Sequence, residues 1–428
     1  MSRDSKLAGA ILLMIIILVS ALAPDAWAQS KYKTLHKFTR GANGYTPYGG
    51  LIFDQAGNLY GTTASGGASG LGTVFKLTPD SDGRWAETVI HSFGGGNDGV
   101  APLATLTFDP AGNLYGTTFS GGANSSGTVF QLTPNSDGSW TESVLYAFCS
   151  VSNCGDGASP LDSLIFDDAG SLYGTTREGG SSSGCNSGCG TVFKLAPNSD
   201  GSWTESVLYS FCSVRGCRDG RTPYFAGVIF DQVGNLYGTT YYGGSSAKCG
   251  GQGCGTVFKL AHNSDGSWTE SVLHTFCSLS GCRDGAGPLD SLISDQAGNV
   301  YGTTEFSDAG GLVFQLMPNA DGSWKEKVLH SFKGGRDGTV PEAPLTFDVA
   351  GNLYGTTFEG GQGGGAGVVF KLAPTSKGGW HETVLHAFRD HPGSLPYAGV
   401  TFDAAGNIYG TTSGDSNSTF GSAFEITP

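Results

Sequence analysis

The sequence predicts an all-β fold: a seven-bladed β-propeller with four strands per blade. Three observations lead to this prediction, namely a phrase that recurs seven times, four strand-like runs in each repeat, and chain ends that complement one another. The composition agrees, because 71 of the 428 residues are glycine, only 3 are methionine, and no long amphipathic helical pattern is present.

The phrase FDQAGNLYGTT begins at Phe53 and returns in near-copies along the chain. The copies begin at Phe108, Phe166, Phe230, Ser294, Phe347 and Phe402. Their tyrosines are 53 to 64 residues apart, a period typical of propellers, solenoids and arrays. Each repeat contains four strand-like runs separated by turn sequences, and in the first repeat these are GGLIFD, NLYGTT, GTVFKLTP and RWAETVIHSF. Four strands per repeat favour propeller blades.

The two ends of the chain predict how the ring closes. Residues 31–38, KYKTLHKF, match the fourth run of a repeat, whereas the last residues, SAFEITP, match the third run. The N-terminal strand should therefore pair as the outermost strand of the C-terminal blade, which leaves no sheet edge unpaired across the ring. We predict a single seven-bladed domain over residues 29–428.

Residues 1–28 have the pattern of a signal peptide. Arg3 and Lys6 precede an apolar run, and Ala26-Trp27-Ala28 has the form of a cleavage site. The alternative is an uncleaved membrane anchor, because the apolar run is long for a signal peptide. We expect a secreted or extracytoplasmic monomer, in the periplasm or at the cell surface, with no membrane span after cleavage. The net charge of −14 would repel phosphate backbones, so no nucleic-acid partner is expected.

The ten cysteines form five close pairs in the sequence, which predicts disulfides in an exported chain. The pairs are Cys149/Cys154, Cys185/Cys189, Cys212/Cys217, Cys249/Cys254 and Cys277/Cys282. Zinc binding is the weaker interpretation, because zinc sites favour two-residue spacings with histidine nearby, and no metal site is predicted. All five pairs fall in loops of one propeller face, between blades two and five.

Residues repeated in every blade are expected to build the frame. The aspartate of each phrase, from Asp54 to Asp403, can accept backbone N–H bonds and hold the turn. Calcium binding is the alternative, but one carboxylate per blade cannot form a single coordination sphere, so no cofactor is predicted. A histidine or tyrosine occupies one position of each outermost strand, where we expect hydrogen-bonded packing rather than a metal site or proton relay. The position is filled by His36, His91, Tyr146, Tyr209, His274, His330 and His386.

Residues that differ between blades are the candidates for function, since loops on a rigid scaffold usually carry it. At the start of the inner strands, near the central mouth, stand Tyr48, Asp162, Tyr224, Asp290, Glu342 and Tyr397. The loops that follow YGTT add Arg177, Glu178, Tyr241, Tyr242, Glu305, Phe358 and Glu359. Aromatic rings beside carboxylates and arginine suit a sugar-like ligand, through ring stacking and hydroxyl hydrogen bonds. A variable, solvated loop surface without a ligand is the alternative.

These residues favour a non-catalytic binding or surface-interaction propeller, with a carbohydrate or a protein bound on the cysteine-rich face. The alternative is an extracytoplasmic hydrolase, lyase or lactonase in which Asp162, Asp290 and Glu342 act as acid and base. A structural or adhesive surface protein is the third interpretation. The sequence contains no nucleophile elbow, HExxH motif or Walker loop.

The repeat also resembles a known family. AGNLYGTT followed by GTVFKL is similar to the bacterial choice-of-anchor tandem repeat of the GloVer type, and the similarity covers essentially the whole mature chain. This resemblance implies an exported, surface-associated repeat protein of unknown biochemical activity. The pattern D-x-x-G-N-L-Y is more loosely similar to NHL-type propeller repeats, which implies the fold alone.

Overall fold

The computed structural model describes residues 30–361, 365–389, 393–414 and 420–428. These residues form seven four-stranded antiparallel sheets, the blades of a β-propeller, as the sequence predicts. The closing blade is also confirmed, because Lys31–Lys37 pairs with Ser422–Thr427 as its outermost strand. The predicted signal peptide, residues 1–28, lies outside the described residues. No helix in the described part of the chain has the length and hydropathy needed to cross a membrane.

Within each blade the strands follow one another from the channel outward. The innermost strands are Ile52–Phe53, Thr107–Phe108, Ile165–Phe166, Ile229–Phe230, Ala286–Ser294, Thr346–Phe347 and Thr401–Phe402. The second strands are Leu59–Thr63, Leu114–Thr118, Leu172–Thr176, Leu236–Thr240, Val300–Phe306, Leu353–Thr357 and Ile408–Thr412. The third strands are Thr73–Pro79, Thr128–Pro134, Thr191–Pro197, Thr256–His262, Leu312–Pro318, Val368–Pro374 and Ser422–Thr427. The outermost strands are Trp85–Ser92, Trp140–Ala147, Trp203–Ser210, Trp268–Thr275, Trp324–Ser331, Trp380–Ala387 and Lys31–Lys37.

A two-stranded pair and four short 3₁₀ turns lie outside the blades in the described part of the chain. Gly99–Val100 pairs with Ser120–Gly121 outside the blades. Short 3₁₀ turns span Ser152–Cys154, Cys249–Gly251, Ser280–Cys282 and Gly335–Asp337. Six of the innermost strands pair over only two residues, fewer than the six-residue runs in the sequence suggest.

Phenylalanines fill the spaces between blades. The third strand of blade one contributes Phe75, and Phe93 follows its outermost strand; both are fully buried. Phe93 packs edge-on against Phe130 of the next blade, with ring centroids 5.2 Å apart. The repeated Trp and Tyr also meet between blades, as Tyr60 and Trp140 do at 6.1 Å. The apolar repeat positions therefore join each blade to its neighbour, which explains why they recur.

The first threonine of YGTT makes a second connection around the ring. Its hydroxyl donates to an inner-strand carbonyl of the following blade, as Thr62 does to Ala104 at 3.0 Å. The same bond recurs in all seven blades and closes the ring where Thr411 donates to Gly49 at 2.9 Å. Because these hydroxyls are buried, the bonds also satisfy polar groups that would otherwise lack partners.

The aspartate of each phrase holds its turn, as predicted. The Asp54 carboxylate accepts the backbone N–H groups of Ala56 and Asn58 at 2.9 and 2.8 Å, the Asn58 side chain at 2.7 Å and the Tyr60 hydroxyl at 3.1 Å. Burial alone would raise the pKa of Asp54, but these hydrogen bonds outweigh it and lower the pKa. The seven-fold recurrence of this arrangement confirms the turn interpretation.

The histidine or tyrosine of the outermost strand has the predicted packing role. Each ring packs edge-on against the phenylalanine two residues later, as His91 does against Phe93 at 4.6 Å. Most of these side chains also meet an aspartate in the loop that leaves the strand: the Tyr146 hydroxyl donates to Asp156 at 2.7 Å, for example. The seven positions therefore form separate contacts along the rim rather than one metal site.

Candidate ligand-binding site

A backbone kink positions the mouth of the channel in every blade. The kink residues have φ angles between 55° and 62°, a region that residues other than glycine rarely adopt. They are Thr46, Ala101, Ser159, Thr222, Gly287, Val340 and Leu395. In six blades the kink carbonyl accepts the N–H of the residue that follows YGTT, as Thr222 accepts that of Tyr241 at 3.0 Å. This bond fixes the start of each mouth loop beside the inner strand.

Two residues after each kink, one side chain per blade stands at the mouth. These side chains are Tyr48, Leu103, Leu161, Tyr224, Leu289, Glu342 and Tyr397. All of them line one cavity of 520 Å³ at the propeller axis. Asp162 and Asp290, one position further along their strands, line the same cavity, and so do Tyr241 and Glu305 from the loops after YGTT. A cavity of this size suits a small ligand or one to a few sugar units.

Aromatic rings form two walls of the cavity. On one side Tyr397 contacts both Tyr48, at a centroid distance of 4.6 Å, and Phe358, at 4.5 Å. On the other side Tyr224 lies 5.9 Å from Tyr241. Burial raises the pKa of Tyr48, as do the nearby Tyr224 and Glu342, so its phenol stays protonated at neutral pH and can donate a hydrogen bond. The walls therefore combine flat apolar faces with polar hydroxyl tips.

Carboxylates occupy the remaining part of the cavity. Burial, reinforced by Glu305 and Glu359, raises the pKa of Glu342 to about 8. Burial and the neighbouring Asp162 raise the pKa of Asp290 well above its usual range. Glu305 accepts the Tyr241 hydroxyl at 2.5 Å, and burial raises its pKa as well. These acids share a confined space, so part of the cavity carries protonated carboxyl groups at neutral pH.

Asp162 connects three blades. Its carboxylate accepts the backbone N–H of Ser163 at 2.6 Å, the backbone N–H of Gly227 from blade four, and the Ser291 hydroxyl from blade five at 2.6 Å. Burial nevertheless raises the pKa of Asp162. Both oxygens of Asp162 are therefore occupied by the protein, whereas Glu342 Oε2, Asp290 Oδ2 and Glu305 Oε1 accept no hydrogen bond among the described residues. The catalytic roles predicted for these three residues stay predictions.

The other predicted residues lie around the cavity rather than in its lining. The Arg177 guanidinium stacks over Tyr224 at 5.2 Å and lies 3.8 Å from Glu178. Tyr242 packs edge-on against Tyr241 at 4.6 Å. Phe358 supports Tyr397, as above, and Glu359 raises the pKa of Glu342. The structure thus brings eight predicted residues into the cavity: Tyr48, Asp162, Tyr224, Tyr241, Asp290, Glu305, Glu342 and Tyr397.

Sequence reasoning missed two parts of the site. The first is the apolar part of the ring, Leu103, Leu161 and Leu289, which could be found by counting back from the repeated phrase in each blade. The second is Ser291, whose partner Asp162 lies 129 residues away in the chain and gives no local signal.

The five predicted disulfides are all present. The sulfurs of Cys185, Cys189, Cys212 and Cys217 lie within 4.8 Å of one another, so two disulfides pack together. They belong to the loop between the second and third strands of blade three and to the loop that leaves that blade. Each disulfide therefore closes one short loop on itself, and these two bridges pack against each other across neighbouring loops.

Two solved structures are similar to the chain at low identity. A Thermus thermophilus protein, provisionally named an oxidoreductase (glucose dehydrogenase), is 14% identical with a TM-score of 0.43, over 93% of this chain and 100% of its own. PorZ, an essential bacterial surface component of the type-IX secretion system of Porphyromonas gingivalis, has the same identity and TM-score over 85% of this chain and 45% of its own. Neither likeness carries an argument about function. No curated protein matches the chain.

A family comparison is more informative. The family model of the Gloeobacter/Verrucomicrobia repeat matches residues 22–251 and 245–428, which together span nearly the whole sequence. The match includes all seven phrases, the kinks and the mouth loops, and it confirms the resemblance seen in the sequence. The chain therefore belongs to the Gloeobacter/Verrucomicrobia repeat family.

Proposed function

We propose that this chain is a non-catalytic, extracytoplasmic binding propeller whose channel mouth takes a carbohydrate. One observation supports this function most directly: the aromatic walls and the carboxylates meet in a single cavity of 520 Å³. Sugars present apolar ring faces and hydroxyl edges, which match the flat rings and polar tips of Tyr48, Tyr224 and Tyr397. The five disulfides support export, because such bonds persist mainly in oxidising compartments.

A thermal-shift screen of the exported protein against oligosaccharides tests this function. A sugar present at a hundred times its dissociation constant should stabilise the protein by about 2.7 kcal/mol. Tyr48→Ala should abolish the shift, since it removes one of the rings that line the aromatic wall. The control is Phe306→Ala, an aromatic side chain of the mouth loops that is 49% exposed and does not line the cavity. If a sugar stabilises Tyr48→Ala and Phe306→Ala equally, it binds outside the channel mouth.

Catalysis is the alternative, and the free oxygens of Asp290 and Glu342 are the observation in its favour. Acids that keep their protons at neutral pH suit a general acid. Incubating the protein with the sugar that it binds distinguishes the two functions. The binding proposal predicts unchanged sugar; products that disappear in Glu342→Gln would show a hydrolase or lyase instead.

A further inference from the structure

We propose that the mouth selects a glycan that carries free, protonated amino groups, such as an oligosaccharide of unacetylated amino sugar. This inference rests on the proposed carbohydrate function and specifies the class of carbohydrate. It follows from the charges in the cavity, from carboxylate oxygens that lack partners, and from the aromatic walls.

The charges in the cavity are of one sign. Asp162, Asp290, Glu305 and Glu342 all line it, and the described lining contains no lysine, arginine or histidine. Arg177, on the rim, faces Tyr224 and Glu178 instead. With a neutral sugar these acids keep their protons, whereas an ammonium group would supply the charge that stabilises their ionised forms.

Two carboxylates present unused oxygens. Glu342 Oε2 is buried without a hydrogen-bond partner among the described residues. Asp290 is 9% exposed, and its carboxylate accepts one hydrogen bond in the described structure, from the Ser291 N–H to Oδ1 at 2.7 Å. Buried polar atoms without partners are costly, so these oxygens are places where a ligand donor would be stabilised. An ammonium group brings three donors and a positive charge.

The aromatic walls suit the same ligand. Cations are attracted to the faces of tyrosine rings, and the attraction is stronger where water is excluded. The rings of Tyr48, Tyr224 and Tyr397 surround the position of Glu342 closely enough for its charge to raise the pKa of each phenol. An amino sugar could therefore stack its ring on one wall while its ammonium group reaches the carboxylates.

Binding should release a proton. Burial, together with the charges of Glu305 and Glu359, raises the pKa of Glu342 to about 8. At pH 6.5 the Glu342 carboxyl group is therefore protonated in the free site. The other titratable groups that act on the same space are Asp290, Tyr48, Tyr224, Tyr241 and Tyr397. An ammonium group favours the ionised carboxylate, so each ligand amine that is already protonated in solution displaces the Glu342 proton to the buffer. An amine that is neutral in solution takes up that proton instead, so the net release measures the fraction of amines protonated before binding.

Titration calorimetry with two matched ligands tests the inference: a glucosamine oligomer and the fully N-acetylated oligomer of equal length, at pH 6.5. We expect the glucosamine oligomer to bind about tenfold more tightly or better, because it adds a charged hydrogen bond. Its heat should depend on the ionisation enthalpy of the buffer, which reports the released proton. The heat of the acetylated oligomer should show no such dependence.

Glu342→Gln provides the matched variant. It should remove the preference for the amine and the proton release, while the acetylated oligomer still binds. Asp82→Asn, at an exposed turn outside the cavity, should behave as the wild type does.

Equal affinity for the two oligomers would overturn this inference and leave the carbohydrate function standing. Absence of binding by either would count against both. If calcium alone stabilises the wild type but not Glu342→Gln, the cavity binds an inorganic cation, and the amine proposal is wrong.

Discussion

On one face of the propeller, the turn between the first and second strands carries the same aspartate in every blade, with the same hydrogen bonds. At the opposite end of the same inner strands, the equivalent positions hold tyrosine in three blades, leucine in three and glutamate in one. Each end of an inner strand is held by a backbone arrangement that recurs around the ring. The difference therefore lies in the side chains: the turn face uses them to make the frame, and the mouth face leaves them free to vary.

This contrast separates two kinds of effect. Side chains of the turn face and of the spaces between blades satisfy partners within the protein, so their loss should lower stability. Side chains of the mouth face a cavity, so their loss should change binding with little effect on stability.

The largest effect is expected from the repeated core. Phe75 is fully buried, and its ring lies 5.0 Å from that of Phe38. Phe75→Ala should lower the free energy of unfolding by about 3–5 kcal/mol, because it removes apolar contacts and leaves a cavity. Denaturant unfolding measures the change. Val233→Ala, whose side chain is 79% exposed, is the control and should change stability by less than about 0.5 kcal/mol.

A smaller loss is expected from the repeated turn. Asp54→Ala removes the acceptor of two backbone N–H groups and two side-chain donors. We expect a loss of about 2 kcal/mol in the same unfolding measurement. Gln55→Ala, an exposed residue of the same turn, should be neutral. Equal stability of the two variants would show that the aspartate does not hold the turn.

The smallest expected effect is a pH dependence of stability, caused by glutamates that are buried between blades. Burial, reinforced by the charge of Asp156, raises the pKa of Glu205 from its usual 4.5 to about 7. The folded protein thus holds this proton more tightly than the unfolded chain, so the stabilisation is complete below pH 4.5 and is lost as the pH rises through about 7. Burial raises the pKa of four equivalent carboxyl groups in the same way, those of Glu87, Glu270, Glu326 and Glu382.

Burial lowers the pKa of four histidines, which act in the opposite sense below about pH 7: His36, His274, His330 and His386. We therefore expect the midpoint of thermal unfolding to fall between about pH 7 and about pH 8, where only the glutamates still titrate. Glu205→Gln should reduce that fall by a small amount, about 2 °C or less. Asp82→Asn, at an exposed turn with 70% of its side chain accessible, should leave the pH profile unchanged. A profile that rises over this range would contradict the pKa shifts.

Much of the frame could be predicted from the sequence because it repeats. The period, the four runs per repeat and the matching chain ends determine the blade number and the closure, and the close cysteine pairs indicate the disulfides. The repeated aspartate could be assigned to its turn for the same reason. The mouth residues could be chosen as the positions where the copies disagree.

The geometry of the site could not be predicted in the same way. The kink residues, such as Ala101, Val340 and Leu395, share a φ angle but no side-chain type, so the sequence carries no signal for them. The contacts of Asp162 reach blades four and five, and no local pattern indicates contacts over that distance. The burial of the glutamates in the outermost strands, such as Glu205, could not be predicted either, because a glutamate in an outer strand usually faces water.

One comparison tests the central claim most directly: stability and sugar affinity measured together for Tyr48→Ala and Asp54→Ala, which lie at opposite ends of one inner strand. The account predicts that Tyr48→Ala loses the sugar but unfolds close to the wild-type denaturant concentration. It predicts that Asp54→Ala unfolds earlier yet binds the sugar normally while folded. If Tyr48→Ala keeps full affinity while the folded Asp54→Ala loses it, the division of the molecule into a repeated frame and a variable binding mouth is wrong.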